Sequence, residues 1–251
     1  MIESVRSPIL NIGIHAQTFE GAIQTLTGWA FEREGRYVCT CPVYTLMLAT
    51  ENVGVRDAIN GADMVTADGM PLVWIQKRRG FQHAERVYGP DIMLALCENT
   101  AHQGVRHLFL GGESGVAEQL ASSLQSRFPA LQVAGVLSPS IAEPIVEREL
   151  LAQIQQTAPD VIWVGLGSPK QDLWMAAYKP VLPALMIGVG AAFDFLTGRK
   201  RQAPLWVRNS GLEWMFRLFQ EPKRLWRRYL VYNPRFVAAI IREELHREQV
   251  I

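Results

Sequence analysis

The sequence has few cysteines, few lysines and no long apolar run. Three cysteines, Cys39, Cys41 and Cys97, cannot all pair, and Cys-Thr-Cys lacks the spacing of a metal site. Reduced, buried thiols in a cytoplasmic protein are expected, rather than a metal or redox centre. The longest weakly charged stretch, Pro180 to Phe193, is too short to span a bilayer and is broken by Pro183, Gly188 and Gly190. No basic, apolar, small-residue leader opens the chain, so secretion is not expected. Repeats and low-complexity tracts are also lacking. The 251 residues, 49% apolar and 20% charged, suit one ordinary globular domain or two small ones with a full core.

The net charge of +1 hides an asymmetry. Residues 1–198 carry 13 basic and 19 acidic side chains, a net of −6. Residues 199–235 carry 10 basic and 2 acidic, a net of +8, and the last sixteen contribute −1. So basic a segment on an acidic body points to an anionic partner: phosphate, lipid head group or nucleic acid. Arginine outnumbers lysine 20 to 5. Its planar fork binds phosphate oxygens two at a time, so the bias leans towards phosphate.

Short apolar runs alternate with longer amphipathic stretches. The runs Tyr37–Thr40, Met64–Ala67, His107–Leu110, Gln132–Val136, Val161–Val164 and Leu185–Val189 read as strands. Helices are predicted over Thr18–Glu34, Tyr44–Asn52, Pro71–Arg79, Asp91–His102, Val116–Arg127, Pro144–Thr157 and Gln171–Tyr178. Such alternation, with short glycine-containing joins, indicates an α/β fold with a mostly parallel, Rossmann-like sheet flanked by helices. Ligands of such sheets collect where strands end and the next helices begin. After about Arg199 the strand signal stops. Pro204–Asn209, Leu212–Gln220, Pro222–Tyr232 and Arg235–Arg247 read as helices, which divides the chain into a body, 1–198, and a basic helical appendage, 199–251.

Five strand-edge segments could carry chemistry. Thr66-Ala67-Asp68-Gly69 presents a carboxylate that either caps the next helix or serves as a general base. Glu85-Arg86-Val87-Tyr88-Gly89-Pro90-Asp91 offers a cation, a glycine turn and an N-cap acid. It is either a capped loop or a loop whose guanidinium holds a diphosphate. Leu110-Gly111-Gly112-Glu113-Ser114-Gly115 and Val164-Gly165-Leu166-Gly167-Ser168-Pro169-Lys170-Gln171 let backbone approach a ligand at a helix N-terminus. Neither ends as a Walker loop, and neither has the dinucleotide fingerprint or the acid for a ribose hydroxyl. Gly188-Val189-Gly190-Ala191-Ala192-Phe193-Asp194 is either a packed strand end or a site where Asp194 accepts bonds from a base or sugar.

The tail Arg217-Leu218-Phe219-Gln220-Glu221-Pro222-Lys223-Arg224-Leu225-Trp226-Arg227-Arg228-Tyr229-Leu230 interleaves arginine with aromatics. Leu225, Tyr229 and Tyr232 fall on one helical face. Three readings apply: an interfacial helix at anionic lipid, a helix packed on the body with solvated arginines, or RNA binding.

Taken in order, these segments resemble the WecG/TagA/CpsF family of bacterial glycosyltransferases (glycosyltransferase family 26). The shared pattern is Thr40, the Asp68-Gly69 pair, Arg-Val-x-Gly-x-Asp at 86–91, Gly-Gly at 111–112, Gly-x-Gly-x-Pro-x-Gln at 165–171, Gly-Val-Gly-Ala-x-Phe-Asp at 188–194, and Gln-Glu-Pro-x-Arg-Leu-x-Arg-Arg-Tyr at 220–229. It spans roughly Arg36 to Phe236. The resemblance implies transfer of a sugar, often N-acetylmannosamine or its uronic acid, from a UDP-sugar to a polyprenyl-diphosphate-linked saccharide in cell-surface polysaccharide synthesis. It further implies an inverting, metal-independent reaction without a cofactor. The enzyme is expected to be cytoplasmic and peripheral on the inner face of the membrane, with no nucleic-acid partner and oligomeric state left open.

Carried over by motif, Asp68 is the general base. Thr40, Arg86 and Gln171 line the same cleft, with Gly69, Gly89, Asp91 and Gly112 as further substrate contacts. Gly167, Gly190 and Asp194 lie near the UDP portion, and Arg217, Arg224 and Arg227 neutralise the charge growing on departing UDP. One departure stands out. Where the family usually shows Asn and His after the threonine, this chain has Pro42 and Tyr44, so a donor or acceptor contact is lost or rebuilt there. Two competing readings are a nucleotide-dependent oxidoreductase, opposed by the missing fingerprint, and a non-catalytic membrane-associated subunit of a polysaccharide assembly complex.

Overall fold

In the computed structural model, which describes residues 5–138 and 147–248, the six apolar runs form one parallel sheet. Its strands lie in the spatial order β4 (Met64–Ala67), β3 (Arg36–Cys41), β8 (Leu185–Gly188), β7 (Val161–Gly165), β5 (Arg106–Gly111), β6 (Gln132–Leu137). The inner strands are buried on both faces, which is why they read as unbroken runs of Val, Ile, Leu and Cys instead of alternating. Two cores result, one on each side of the sheet. The three cysteines are buried and unpaired, and burial pushes their thiols up.

Helices connect the strands: α1 (Phe19–Glu32), α2 (Val43–Glu51), α3 (Val53–Asn60), α4 (Met70–Arg78), α5 (Gly89–Thr100), α6 (Val116–Arg127), α7 (Glu147–Thr157), α8 (Lys170–Tyr178) and α9 (Ala192–Leu196). Thr18 caps α1 by accepting the Gly21 N–H at 3.1 Å. Pro71 sits in the first turn of α4, and Lys77 and Arg78 in its last, where the helix dipole favours them. The predicted first turn of the helix from Pro144 lies outside the described residues.

Three elements were not foreseen. A hairpin of β1 (Val5–Ile9) and β2 (Ile12–Ala16) flanks the sheet, and His15 Nδ1 accepts the Val65 N–H of β4 at 2.9 Å. The other two are α3, capped by Asn52 through the Val55 N–H, and the short α9.

The C-terminal segment comprises α10 (Leu205–Asn209), α11 (Glu213–Gln220), α12 (Pro222–Trp226), a π-turn at Arg227–Val231 and α13 (Tyr232–Glu248). Pro234 was expected to separate two helices, yet α12, the π-turn and α13 run on without interruption. Proline lacks an N–H and its ring would strike the carbonyl four residues back. Widening the preceding turn to a π pattern accommodates both. These helices fold back onto the body. Phe236 is buried in the core beside β1 and β2, and Arg235 pairs with Glu51 at 2.5 Å. The Arg79 guanidinium, itself buried, is gripped by Glu243, at 2.6 Å, and Glu244. Leu225 and Tyr229, placed on an interfacial face by the tail's periodicity, instead pack inward and are 2% and 8% exposed. Outward apolar side chains include Leu205, Trp206, Phe219, Trp226, Leu230, Val237 and Ile241. Among the described residues no helix is long and apolar enough to cross a membrane.

Burial holds His15 and His107 neutral, pushing both down to about 4. Unfolding lets each take up a proton below its ordinary value of 6.5, so stability is lost as pH falls from 6.5 towards 4. Asp172, buried in the first turn of α8 and raised to about 6, opposes this, because it is held protonated where the unfolded group ionises. Asp68, also raised by burial, opposes the loss in the same sense. Glu221, pushed up by burial but lowered on balance by Arg224 and Lys200, adds to it. The two imidazoles with Glu221 leave a net loss of stability on acidification. Thermal melts from pH 7 to 4 are expected to show a falling Tm, and Asp172→Asn a steeper fall. A flat profile in both proteins would contradict the burial of the two imidazoles.

Candidate active site

The carboxyl ends of β3 and β4 meet α4 and the C-terminal helices around one cleft of about 650 Å³. Asp68 is delivered to it by β4, and Arg86 by the loop after α4. That loop is stitched back onto the strand, because Val87 N–H bonds to Ala67 O at 3.1 Å and Thr66 Oγ1 donates to Val87 O at 2.9 Å. Two chain segments eighteen residues apart therefore lie side by side. Arg86 Nε donates to the Asp68 carbonyl at 2.5 Å, and its guanidinium lies over the Tyr88 ring at 4.1 Å.

Asp68 does not cap α4; Gly69 occupies that position and no side chain bonds there. Its carboxylate points into the cleft instead. Oδ1 accepts no hydrogen bond, and the Arg86 Nη2 lies 3.7 Å away, too far for one. Burial pushes the Asp68 carboxyl up, Arg86 pulls it down and Glu213 pushes it up again, with a net rise. Glu213, from α11, is the closer partner of Arg86, at 2.7 Å from the same nitrogen, and lies 3.4 Å from the Tyr88 hydroxyl. One guanidinium is thus shared by a carboxylate of the body and one of the appendage. Oδ1 is itself buried, and a carboxylate that lines the cleft with its proton affinity raised can take a proton from a bound hydroxyl.

Two further arginines complete the rim. Arg217, from α11, lies over the Phe195 ring at 5.2 Å. Arg228, from the π-turn, lies over the Tyr44 ring at 4.8 Å, and its buried Nε has no hydrogen-bond partner. Tyr44 therefore explains the departure noted in the sequence: the position is rebuilt as an aromatic seat for a cation. Pro42 precedes it as the N-terminal cap of α2 and also lines the cleft. Five arginines face three carboxylates around the lining, a surplus of positive charge suited to an anion.

Of the residues singled out from sequence, Asp68, Gly69, Arg86 and Arg217 meet around this cleft. Arg224 and Arg227 do not; both are exposed, Arg224 paired with Glu221 at 2.5 Å and Arg227 lying over Trp226 at 5.3 Å. Arg228 takes the inward place, because the π-turn rotates the register by part of a turn. Asp91 is not the cap of α5, which Tyr88 precedes. It lies in the first turn and faces Arg208 at 3.4 Å.

The remaining residues form the adjoining glycine edge. Thr40 Oγ1 donates to Gly188 O at 2.7 Å, tying β3 to β8. Gln171 is buried; its Oε1 accepts the N–H groups of Gly167, at 3.2 Å, and Gly190, at 3.1 Å, so one amide fixes both turns. Its role here is positioning. Gly89 packs closely on β8's end, where a Cβ would lie a tight 3.1 Å from Val189 O. Gly111 is in the left-handed region, φ +116°, and a Cβ there would come within 2.7 Å of the Gly165 carbonyl carbon. Gly112 follows at the same turn, and Asp194 is paired with Lys200 at 2.5 Å. Glu213 and Arg228 were not singled out from the sequence, and Tyr44 stood there only as a departure from the family pattern. Glu213 gave no local signal, standing alone in an apolar-basic stretch.

The model of the glycosyl transferase WecG/TagA/CpsF family matches residues 7–250. The chain belongs to this family. A relative from Bacillus spizizenii, N-acetylglucosaminyldiphosphoundecaprenol N-acetyl-beta-D-mannosaminyltransferase, is 27% identical over 219 residues, covering 87% of this chain and 83% of its own. The protein is therefore a glycosyltransferase.

The Asp68–Arg86–Glu213 triangle makes a signed prediction. Removing the Glu213 charge with Glu213→Gln deletes a negative neighbour of Asp68 and frees Arg86 to turn towards it. Both changes lower the Asp68 midpoint in a carbon-detected NMR titration of the carboxyl groups. A midpoint that stays where it was, with the fold intact, would show that Glu213 does not act on Asp68.

Proposed function

We propose that this glycosyltransferase moves a sugar, N-acetylmannosamine, its uronic acid or a related hexose, from a UDP-sugar to a polyprenyl-diphosphate-linked saccharide. The observation that carries the reading is the Asp68 carboxylate, facing a cleft whose other wall is the arginine-bearing appendage. The Bacillus spizizenii relative, named for an N-acetylmannosaminyl transfer to such a lipid-linked acceptor, supports the substrate class.

Asp68 takes the proton of the acceptor hydroxyl as that oxygen forms its bond to the anomeric carbon. The bond from that carbon to UDP breaks, the electron pair leaves with the diphosphate, and a single displacement inverts the anomeric centre. Arg217 and Arg228 offset the charge that develops on the leaving diphosphate, so fixed cations serve in place of a metal. The glycine edge, with Gly112, Gly167, Gly190 and Asp194, receives the UDP portion, and Gln171 holds two of those turns in shape. Residues 199–251 act as an appendage that closes the site at the inner membrane face. Exposed Trp206 and Phe219, 71% and 80% accessible, supply the apolar contacts such a surface needs.

Asp68→Asn should retain UDP binding and lose about 10²- to 10⁴-fold in transfer, read as UDP released in the presence of a prenyl-diphosphate-linked acceptor. Near-normal turnover would remove Asp68 from the role. Arg228→Ala should cost roughly a hundredfold in kcat, the usual loss for one fixed charge at a transition state. Arg227→Ala, on the exposed side, should stay within about threefold. The reverse ranking of these two arginines would refute the assignment.

A further inference from the structure

Only part of the cleft is polar. Beyond Asp68 and the arginines it continues as an apolar trough between α4 and α13. On α13 the lining side chains Phe236, Val237, Ile240 and Ile241 recur at the spacing of one helical face. Across the gap stand Trp74 and Ile75 of α4. A stripe of this kind normally closes against its neighbour. Here the two helices stay apart and the ring of Trp74 is propped by Gly211, where a Cβ would come within 2.4 Å of the indole. Val237 and Ile241 remain 54% and 55% exposed along the mouth, and Trp74 49%. A shallow apolar depression over Leu230, Pro234 and Ala238 shares Val237 and Ile241 with the trough and extends it outward.

We infer that this trough seats the first isoprene units of the acceptor's lipid chain, with the acceptor's head group towards the polar end of the cleft. The inference rests on the proposed reaction for the identity of the acceptor and adds the place where its chain lies. Charge and polarity select the occupant. One end presents cations without a carboxylate partner, and the rest offers aliphatic and indole surface enclosed from two sides. An amphiphile with a doubly charged head and a single branched chain matches both ends. A sugar nucleotide matches only the first, because its base and ribose would leave their polar groups unpaired against Ile240 and Ile241. The chain would leave by the half-exposed mouth, beside the outward apolar residues of the appendage. The enzyme would then select its acceptor by the lipid as well as by the saccharide.

Calorimetric titration of the full chain, below the micelle threshold of each ligand, tests this. Farnesyl diphosphate, with three isoprene units, is expected to bind at least tenfold more tightly than isopentenyl diphosphate, with one. Val237→Asn and Ile241→Asn, both at exposed positions that the fold tolerates, should erase that difference and leave isopentenyl diphosphate binding unchanged. Equal affinities for the two ligands, or a difference that survives both substitutions, would overturn the seat. Dodecyl phosphate matching farnesyl diphosphate would overturn the commitment to an isoprenoid. UDP-sugar consumption measured on the same preparations separates the two levels. Chain-dependent binding without any transfer would sink the proposed reaction and keep the seat, whereas transfer with chain-independent binding would sink the seat alone.

Discussion

The site depends on one shared guanidinium. Arg86 lies between Asp68 of the body and Glu213 of the appendage, closer to the latter, and this asymmetry sets the properties of both carboxylates. Removing charges from water is costly, and one cation cannot fully compensate two buried acids. Burial raises the proton affinity of Asp68, and its long contact with Arg86, whose short contact goes to Glu213, offsets that only in part. The same contact fixes the appendage against the strand edge. A residue of the C-terminal helices therefore tunes a group on β4 while closing the cleft over it.

Around that triangle the fold divides its labour. Parallel strands place five loops on one edge, and glycine turns tied by Gln171 leave room there for a ligand. The appendage brings what the sheet lacks, namely unpaired positive charge and an apolar wall. Its attachment is distributed: Phe236 sits in the core, Glu243 and Glu244 hold Arg79, and Arg235 pairs with Glu51. Side chains of α13 and α4 line the two sides of the cleft, and the Trp74 ring packs against Gly211. Polar chemistry at one end and apolar enclosure at the other are properties of a single cleft.

Much of this was legible in the residue order. Strands buried on both faces leave continuous apolar runs, so the six-stranded parallel sheet could be read directly, and with it the position of Asp68 at the end of a strand. The hairpin escaped because its turn, Leu10-Asn11, adopts left-handed backbone at both positions without a glycine, φ 49° and 64°. Choosing among the tail arginines failed for a geometric reason. Ideal helical spacing groups Leu225, Tyr229 and Tyr232, yet the π-turn ahead of Pro234 inserts an extra part-turn, and Arg228 swings inward while Arg227 faces water. Glu213 is the clearest case of what spacing cannot show. Its partner lies more than a hundred residues away in the chain, and only the fold brings them together.

A structure of the enzyme with UDP and a prenyl-diphosphate-linked acceptor tests the central claim most directly. The account predicts the acceptor's attacking hydroxyl within about 3 Å of the Asp68 carboxylate, with Arg86 still held by Glu213. An acceptor hydroxyl remote from Asp68, or an Asp68 closed into a short ion pair with Arg86 while substrate is bound, would contradict it.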